Sequence, residues 1–214
     1  MDTDGRHTPP TERDRSPHPD RGRGRRSRSV RRTALAVAGT IGVLLLVHMF
    51  VAQPFRIPSD SMANTLEVGD RVLVNKLAYR FGNLPARGDV VVFDGAGSFD
   101  PVRSDGSDYV KRVVGVGGDR VTCCDERGRI EVNGEPADEA YLHPGDRPSA
   151  VPFDIEVPEG RLWVMGDHRS RSSDSRDHLG SPGGGTVPVD RVVGRVDWIV
   201  WPAGRWSSPR DRHG

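Results

Sequence analysis

The hydrophobic and polar positions divide the chain into a polar beginning, one continuous apolar run and a long remainder with short apolar groups. The apolar run reads ALAVAGTIGVLLLVHMFVA, from Ala34 to Ala52, with no formal charge apart from what His48 carries. As a helix with a rise of ~1.5 Å per residue it is about 28 Å long, close to the ~30 Å hydrocarbon core of a bilayer. We therefore predict one transmembrane helix over residues 33–52.

A cleaved signal peptide and a buried core helix are the alternatives for this run. A cleaved signal peptide needs a shorter apolar region and small residues at positions −3 and −1 of the cut. A cut after Ala52 would place the large Phe50 at −3. The length of the run and the arginines before it favour a membrane span over a core helix. The prediction is an uncleaved signal-anchor.

After the apolar run, short valine-rich groups are separated by Gly, Pro, Asp or Asn, which is typical of strands and turns. Asn133 and Gly134 predict a hairpin turn. We expect a mainly β fold: a single domain of short antiparallel strands over residues 53–214, with its last residues disordered, behind one N-terminal transmembrane helix. The groups read RVLVNKLAY, DVVVF, YVKRVVGV, DRVTC, RIEVNG, RLWVMG and RVVGRVDWIVW.

Positive charge is concentrated at the beginning of the chain. Residues 1–32 contain ten arginines and five acidic residues, a net charge of +5, whereas the whole chain carries +1. With few apolar residues to bury, this segment is predicted to be a disordered tail. Arg31 and Arg32 adjoin the apolar run, so the positive-inside rule predicts a cytoplasmic tail and an external C-terminal domain. The membrane span explains the basic tail, and we predict no nucleic-acid partner.

The cysteines and histidines predict no metal site and no cofactor. Cys123 and Cys124 are adjacent, and the chain lacks the other thiolates of a zinc ribbon. A disulfide is chemically allowed outside the membrane but strained between neighbours, so we expect two structural, half-buried cysteines at a strand end. The seven histidines form no HExxH pair.

Candidate catalytic chemistry comes from a serine-rich stretch and from the scarcity of lysine. Ser59 and Ser61 lie in RIPSDSMANT, and a serine becomes a nucleophile only beside a base. Of 31 basic residues only Lys76 and Lys111 are lysines. A desolvated lysine can act as a neutral base whereas arginine cannot, and Lys111 lies within an apolar strand. Lys76, at a strand end, is expected to face water; a histidine-based triad stays open.

Four motifs in order resemble the bacterial type I signal peptidases, membrane-anchored Ser–Lys proteases that remove signal peptides. They are PSDSMANTL at 58–66, GDRVLVNK at 69–76, YVKRVVGVGGD at 109–119 and GDHRSRSSDSR at 166–176. Three positions differ from the family pattern: Asn64 and Gly117 replace common prolines, and His168 replaces an asparagine. None of the three removes a group that the chemistry needs.

The resemblance implies a role for each matching residue. Ser61 is the nucleophile and Lys111 its general base, while Ser59 and the backbone N–H of Ser61 form the oxyanion hole. The supporting residues are Ser172, which orients Lys111, and the ion pair of Asp174 with Arg176. Shallow pockets for small substrate residues at −3 and −1 are implied by the family positions Phe55, Ile57, Met62, Leu66, Tyr109 and Val110, for which core packing is the alternative.

The implied function is a single-pass membrane endopeptidase that cleaves exported preproteins after A-x-A-type sites. The substrate would add as a strand along residues 55–59 and 109–111. Trp198, Trp201 and Trp206 would lie at the membrane interface or be buried in strands. The expected partners are preproteins and the lipid bilayer, with no obligatory protein partner. The alternatives are a self-cleaving Ser–Lys protein and a non-catalytic, membrane-anchored binding module.

Overall fold

The computed structural model describes residues 23–100 and 107–210. Most of the predicted disordered tail, residues 1–22, and the last residues, 211–214, lie outside the described residues. The chain divides into two compact units, residues 1–44 and residues 45–214.

The first long element is helix α1, Arg23–Phe50. Its segment Val30–Phe50 is 21 residues long, its most apolar stretch has a mean hydropathy of 2.1, and it is long and apolar enough to cross a membrane. The bounds differ from the sequence prediction at both ends. Residues 23–32 are helical rather than disordered, since arginine is a good helix former. The helix ends at Phe50 because Pro54 lacks an N–H and disfavours helical backbone at the residue before it.

The rest of the described chain is built from short antiparallel strands, which confirms the predicted mainly β fold. Seven strands form one sheet in the order β1-β2-β11-β3-β4-β9-β10, and four form a second sheet in the order β7-β6-β5-β8. The strands are β1 Ala52–Arg56, β2 Arg71–Asn75, β3 Val90–Asp94, β4 Asp108–Val116, β5 Arg120–Cys123, β6 Ile130–Val132, β7 Glu135–Pro136, β8 Phe153–Glu156, β9 Arg161–Met165, β10 Val187–Pro188 and β11 Val192–Trp201.

The long last strand, β11, joins the two parts of the seven-stranded sheet. One edge pairs with β2, where Val196 lies opposite Val74, and the other pairs with β3, where Arg195 lies opposite Val91. Val72 and Val74 of β2 and Val91 and Val92 of β3 are fully buried, whereas β11 alternates buried and partly buried positions. Since β1 follows α1 directly, the first strand of this sheet begins two residues after the helix ends.

The second sheet contains the predicted hairpin turn and one of the two cysteines, and the other follows it directly. Asn133 and Gly134 link β6 to β7 with φ angles of 58° and 81°, the left-handed conformation that asparagine and glycine tolerate. Cys123 ends β5 and is half-buried as expected, whereas Cys124 is exposed. The two are joined by a disulfide, the pairing that the sequence left open as strained but chemically allowed.

Candidate active site

The predicted nucleophile lies in a compact turn between β1 and β2. The Ala63 N–H donates to the Asp60 carbonyl at 2.9 Å, and the Leu66 N–H donates to the Met62 carbonyl at 2.7 Å. The Met62 and Leu66 side chains are buried in the core beneath the turn. Hydrophobic burial of these neighbours therefore fixes the backbone on which Ser61 stands.

One departure from the family pattern is part of this turn. Asn64 has a φ of 83°, a left-handed conformation that proline, fixed near −65°, cannot adopt. Its side-chain amide also donates to the carbonyl of Tyr141 at 3.3 Å. The asparagine therefore suits a backbone geometry that a proline would not permit.

Lys111 lies within strand β4 and reaches the predicted nucleophile directly. Its Nζ is 2.8 Å from Ser61 Oγ, and its cross-strand partner is Val91 of β3. Only 4% of Lys111 is exposed. This burial lowers the pKa of Lys111 from 10.5 to about 8, although the Asp174 and Asp167 carboxylates oppose the effect. The amine is therefore neutral in a useful fraction of molecules at physiological pH.

The predicted oxyanion-hole groups lie beside the same hydroxyl. Ser59 Oγ is 3.4 Å from Ser61 Oγ, and Ser59 is exposed, so its hydroxyl can turn toward a bound substrate. The backbone N–H of Ser61 donates to none of the residues that the structure describes. Both donors are thus available to a negatively charged oxygen.

The predicted ion pair of Asp174 and Arg176 is formed and buried. Arg176 Nε and Nη2 each lie 2.8 Å from a different carboxylate oxygen of Asp174, a bidentate arrangement. The Gly166 N–H donates to the same carboxylate at 3.0 Å. Desolvation would raise the pKa of Asp174, but the Arg176 guanidinium holds it below its usual range. Asp174 therefore stays ionised and holds the loop that carries Ser172.

Ser172 reaches the site but does not make the predicted contact. Its Oγ is buried beside the Asp174 carboxylate, whose pKa it helps to lower, and among the described residues it makes no hydrogen bond to Lys111. A Cβ atom added at Gly166 would collide with this hydroxyl and with the Ser61 carbonyl. Close packing against the bare Gly166 backbone thus holds Ser172, in place of an ammonium hydrogen bond.

The predicted pocket residues divide between two core clusters. The first cluster contains the buried Ile57, Met62 and Leu66, with the partly buried Phe55 and Val110 packed against it. Tyr109 belongs to the second cluster, where it packs with Phe93 and Phe99 and donates from its hydroxyl to Asp100 at 3.1 Å. The fully buried members match the core-packing alternative, and the partly buried ones leave shallow apolar surface.

The sequence analysis missed a buried ion pair next to the predicted base. Arg112 Nε and Nη2 bind the two carboxylate oxygens of Asp167 at 2.8 and 2.6 Å, and Thr65 donates to the same carboxylate. The guanidinium also stacks over the Tyr141 ring, 4.1 Å from its centroid. A charged residue in the apolar strand YVKRVV was the available signal. This pair ties β4 to the loop after β9 and to the turn that carries the nucleophile.

His168 contacts the backbone carbonyl groups of Ser61 and of Asp60, the residue before it. Its backbone N–H donates to the Ser61 carbonyl at 3.1 Å, and its ring Nδ1 lies 3.2 Å from the Asp60 carbonyl oxygen. The side chain of Asp60 is in turn paired with Arg171 at 3.1 Å. The imidazole contacts the Asp60 carbonyl and the His143 ring, and among the described residues it makes no hydrogen bond to Ser61 Oγ.

Two remaining expectations concern the exposure of the other lysine, Lys76, and of three tryptophans near the end of the described chain. Lys76 is half-buried rather than water-facing, because its Nζ donates to the Met49 carbonyl at 2.9 Å. Of the two alternatives for the three C-terminal tryptophans, the structure excludes burial. The exposed fractions are 52% for Trp198, 58% for Trp201 and 68% for Trp206.

Most of the chain is similar in sequence to known proteins. Residues 30–201 match the family model "Signal peptidase, peptidase S26". A signal peptidase I from Mycobacterium tuberculosis is 41% identical, over 82% of this chain and 74% of its own. A probable signal peptidase I from Mycobacterium leprae is 38% identical, over 82% and 77% respectively. A solved signal peptidase I from Enterococcus faecalis is 26% identical with a TM-score of 0.38, over 52% of this chain and 96% of that chain.

Proposed function

This chain belongs to the signal peptidase family, peptidase S26, and from that premise we propose a membrane-bound endopeptidase that cuts preproteins by a Ser–Lys mechanism. Family membership supports removal of signal peptides from preproteins. The proposal adds the catalytic groups, the preference for small residues before the cut and the attachment to the membrane.

The observation that carries the mechanism is the 2.8 Å hydrogen bond between Lys111 Nζ and Ser61 Oγ in buried surroundings. Neutral Lys111 takes the proton of Ser61 as Oγ attacks the scissile carbonyl carbon. The carbonyl oxygen becomes negatively charged and is held by the Ser61 N–H and the Ser59 hydroxyl. Such donors each contribute about 3 kcal/mol to transition-state stabilisation in well-studied proteases.

The same lysine then serves the second half of the reaction. The Lys111 ammonium gives its proton to the nitrogen of the leaving peptide as the C–N bond breaks, which leaves an acyl ester on Ser61. Neutral Lys111 next removes a proton from a water molecule that attacks the ester. The new carboxylate leaves and Ser61 regains its proton, so the cycle consumes one water and needs no metal or cofactor.

Strand β4 offers an edge along which a substrate peptide would lie. Residues 108–112 pair with β3, but β9 pairs with β4 only from Arg112 onward. The second edge of Asp108–Lys111 has no strand partner within the described residues. An extended peptide would hydrogen-bond there, placing its scissile carbonyl beside Ser61.

The preference for small residues before the cut rests on how little room lies beneath that edge. Ile57, Met62 and Leu66 are at most 2% exposed, so they close the bottom of any pocket there. Partly buried Phe55 and Val110 supply apolar walls. Alanine-sized side chains would be accepted and large ones would clash, which corresponds to an A-x-A site.

Attachment to the membrane is proposed from two apolar features. The helical segment Val30–Phe50 has the length and hydropathy of a membrane span, and Arg31 and Arg32 favour a cytoplasmic N-terminus. Trp198, Trp201 and Trp206 would contact the bilayer interface on the outer side. Protease added to intact spheroplasts should therefore digest residues beyond Ala52; digestion of the N-terminal tail alone would contradict this orientation.

A cleavage assay with the full chain in detergent micelles tests the proposal. The substrate is a preprotein with an A-x-A site, and the Ser61→Ala variant is the control. We expect cleavage after the second alanine, loss of cleavage in Ser61→Ala, and no cleavage when both alanines are replaced by leucine. An inactive wild type would favour the binding-module alternative, and cleavage restricted to the chain itself would favour the self-cleaving one.

A further inference from the structure

Two loops near the active site bring together a cluster of metal-ligating side chains that the peptidase chemistry does not use. One potential ligand atom each from His143, Asp146 and His168 lies within 4.8 Å of the others. All three residues are half-buried, so the cluster is formed by the fold yet open to ions from solvent. His143 and Asp146 lie in the loop between β7 and β8, and His168 lies in the loop after β9.

The environment of His168 leaves one ring nitrogen free to bind a cation. Its Nδ1 is 3.2 Å from the Asp60 carbonyl oxygen, and a carbonyl only accepts hydrogen bonds. Nδ1 therefore carries the proton, and Nε2 of the neutral ring keeps its lone pair. Metal-bound histidines usually donate their second N–H to a carbonyl or carboxylate in this way, which fixes the tautomer and the ring orientation.

The other two side chains are held in place by their own loop. The Asp146 N–H donates to the His143 carbonyl at 3.0 Å, a turn that keeps the two residues adjacent. One carboxylate oxygen of Asp146 accepts the Ser170 N–H at 3.2 Å, and the Ser170 side chain also bonds to this carboxylate, so Ser170 orients a group whose remaining lone pairs can bind a cation. The His143 and His168 rings stack with centroids 3.9 Å apart and 13° between planes.

Arginines around the cluster are paired with other carboxylates, and Arg176, whose charge interacts with that of Asp146, is paired with Asp174. Arg169 is paired with Glu139 and also binds the Gly166 carbonyl, and Arg171 is paired with Asp60. Within the described residues, the carboxylate of Asp146 forms no ion pair with any of these arginines. The negative charge of Asp146 is therefore available to a bound cation rather than to a neighbouring guanidinium.

We propose that His143, Asp146 and His168 form a site for one divalent cation of the zinc class. Two imidazoles and one carboxylate suit zinc rather than calcium or magnesium, which prefer oxygen ligands. With bonds of about 2.0–2.1 Å, tetrahedral ligand atoms lie about 3.3 Å apart. The potential ligand atoms here lie within 4.8 Å of one another, so the two rings would tilt to bring their ligand nitrogens together on binding. Water would occupy the fourth position. This site is independent of the proposed peptidase mechanism.

Direct metal binding to the full, oxidised chain in detergent tests the site. Free Zn²⁺ is set with a chromogenic chelator, in a background where His7, His18 and His213 at the chain ends are replaced by asparagine. We expect one saturable equivalent of Zn²⁺. Since loss of a mere supporting contact to a ligand lowers affinity about 10–100-fold, His143→Asn and His168→Asn should each weaken binding by at least about tenfold.

Two further variants separate coordination from a general effect on folding. Asp146→Asn keeps the size and the acceptor for the Ser170 N–H but loses the charge, and it should weaken binding about as much as the histidine variants. His178→Asn alters a histidine stacked on Phe99, outside the cluster, and should leave affinity unchanged. Co²⁺ should give visible absorption bands of a four-coordinate site in the wild type only. Equal Zn²⁺ affinity in the wild type and Asp146→Asn, or binding that His178→Asn abolishes, would overturn the proposal.

Discussion

Replacing Lys111 by methionine should abolish peptidase activity and at the same time stabilise the fold. Burial lowers the pKa of this lysine from 10.5 to about 8. Because one pKa unit corresponds to about 1.4 kcal/mol, the buried ammonium destabilises the folded state by roughly 3 kcal/mol below pH 8. Methionine has similar bulk and no charge, so it removes both the base and this penalty.

The sign of the pH dependence follows from proton binding. Between pH 8 and 10.5 the unfolded chain holds the lysine proton and the folded chain does not. The lysine's contribution to wild-type stability therefore rises with pH across this window, because the unfolded state binds more protons there. The stability advantage of Lys111→Met should be up to about 3 kcal/mol at pH 7 and should vanish near pH 10.5.

The rate of catalysis should depend on the same ionisation, because only the neutral amine of Lys111 can act as the base. At pH 7 about 10% of a lysine with a pKa of about 8 is neutral, roughly 300 times more than at a pKa of 10.5. Peptidase rate should rise about tenfold per pH unit below pH 8 and level off above it.

Two measurements check this prediction together. Initial cleavage rates of an A-x-A peptide are recorded from pH 6 to 10, and urea unfolding is followed by far-UV circular dichroism over the same range. Lys76→Met, at the chain's other lysine, is the matched control and should keep the wild-type pH–rate profile. The reasoning fails if Lys111→Met cleaves at a near wild-type rate, or if its unfolding free energy shows the wild-type slope between pH 8 and 10.

Three further substitutions test the site and its surroundings. Gly166→Ala should lower kcat at least about 100-fold, because the added methyl group displaces Ser172 and the Ser61 carbonyl; a kinetic assay beside a circular dichroism spectrum checks this. Asn64→Pro should lower the free energy of unfolding by about 2 kcal/mol, since proline cannot adopt the left-handed backbone there, and unchanged urea stability would argue against it. Cys123→Ser combined with Cys124→Ser should keep most activity, because the cysteines lie at the end of β5 in the smaller sheet; an inactive but folded double variant would contradict this.

The strands that could be predicted from the sequence are those with a strong local pattern. The valine-rich groups of β2, β3, β4, β9 and β11 appear where they were expected, and each supplies buried side chains to the core. The short strands β7, β8 and β10 have two to four residues, too few for a period to emerge, and β1 contains a proline. Their pairing depends on neighbouring strands rather than on their own residues.

Some residues of the candidate site could be recognised from the sequence around them, whereas other contacts are made only by the fold. A serine-rich turn and a rare lysine in an apolar strand stand out locally as candidates, and the resemblance to the signal peptidases assigned Ser61 and Lys111 their predicted roles. The partner of Arg112 was not, since Asp167 lies 55 residues further along the chain and only the fold brings the two together. Ser172 was assigned a hydrogen bond, but packing against Gly166 decides where its hydroxyl lies.

The central position of β11 has a consequence for when activity can begin. Ser61 precedes β2 and Lys111 lies in β4, and these strands belong to one sheet only because β11 pairs with both β2 and β3. Ribosomes synthesise β11, Val192–Trp201, after all the other strands of both sheets. Until then a growing chain carries its proposed nucleophile and base without a complete sheet that aligns them. The order of strands therefore delays the proposed active site until β11 has been made.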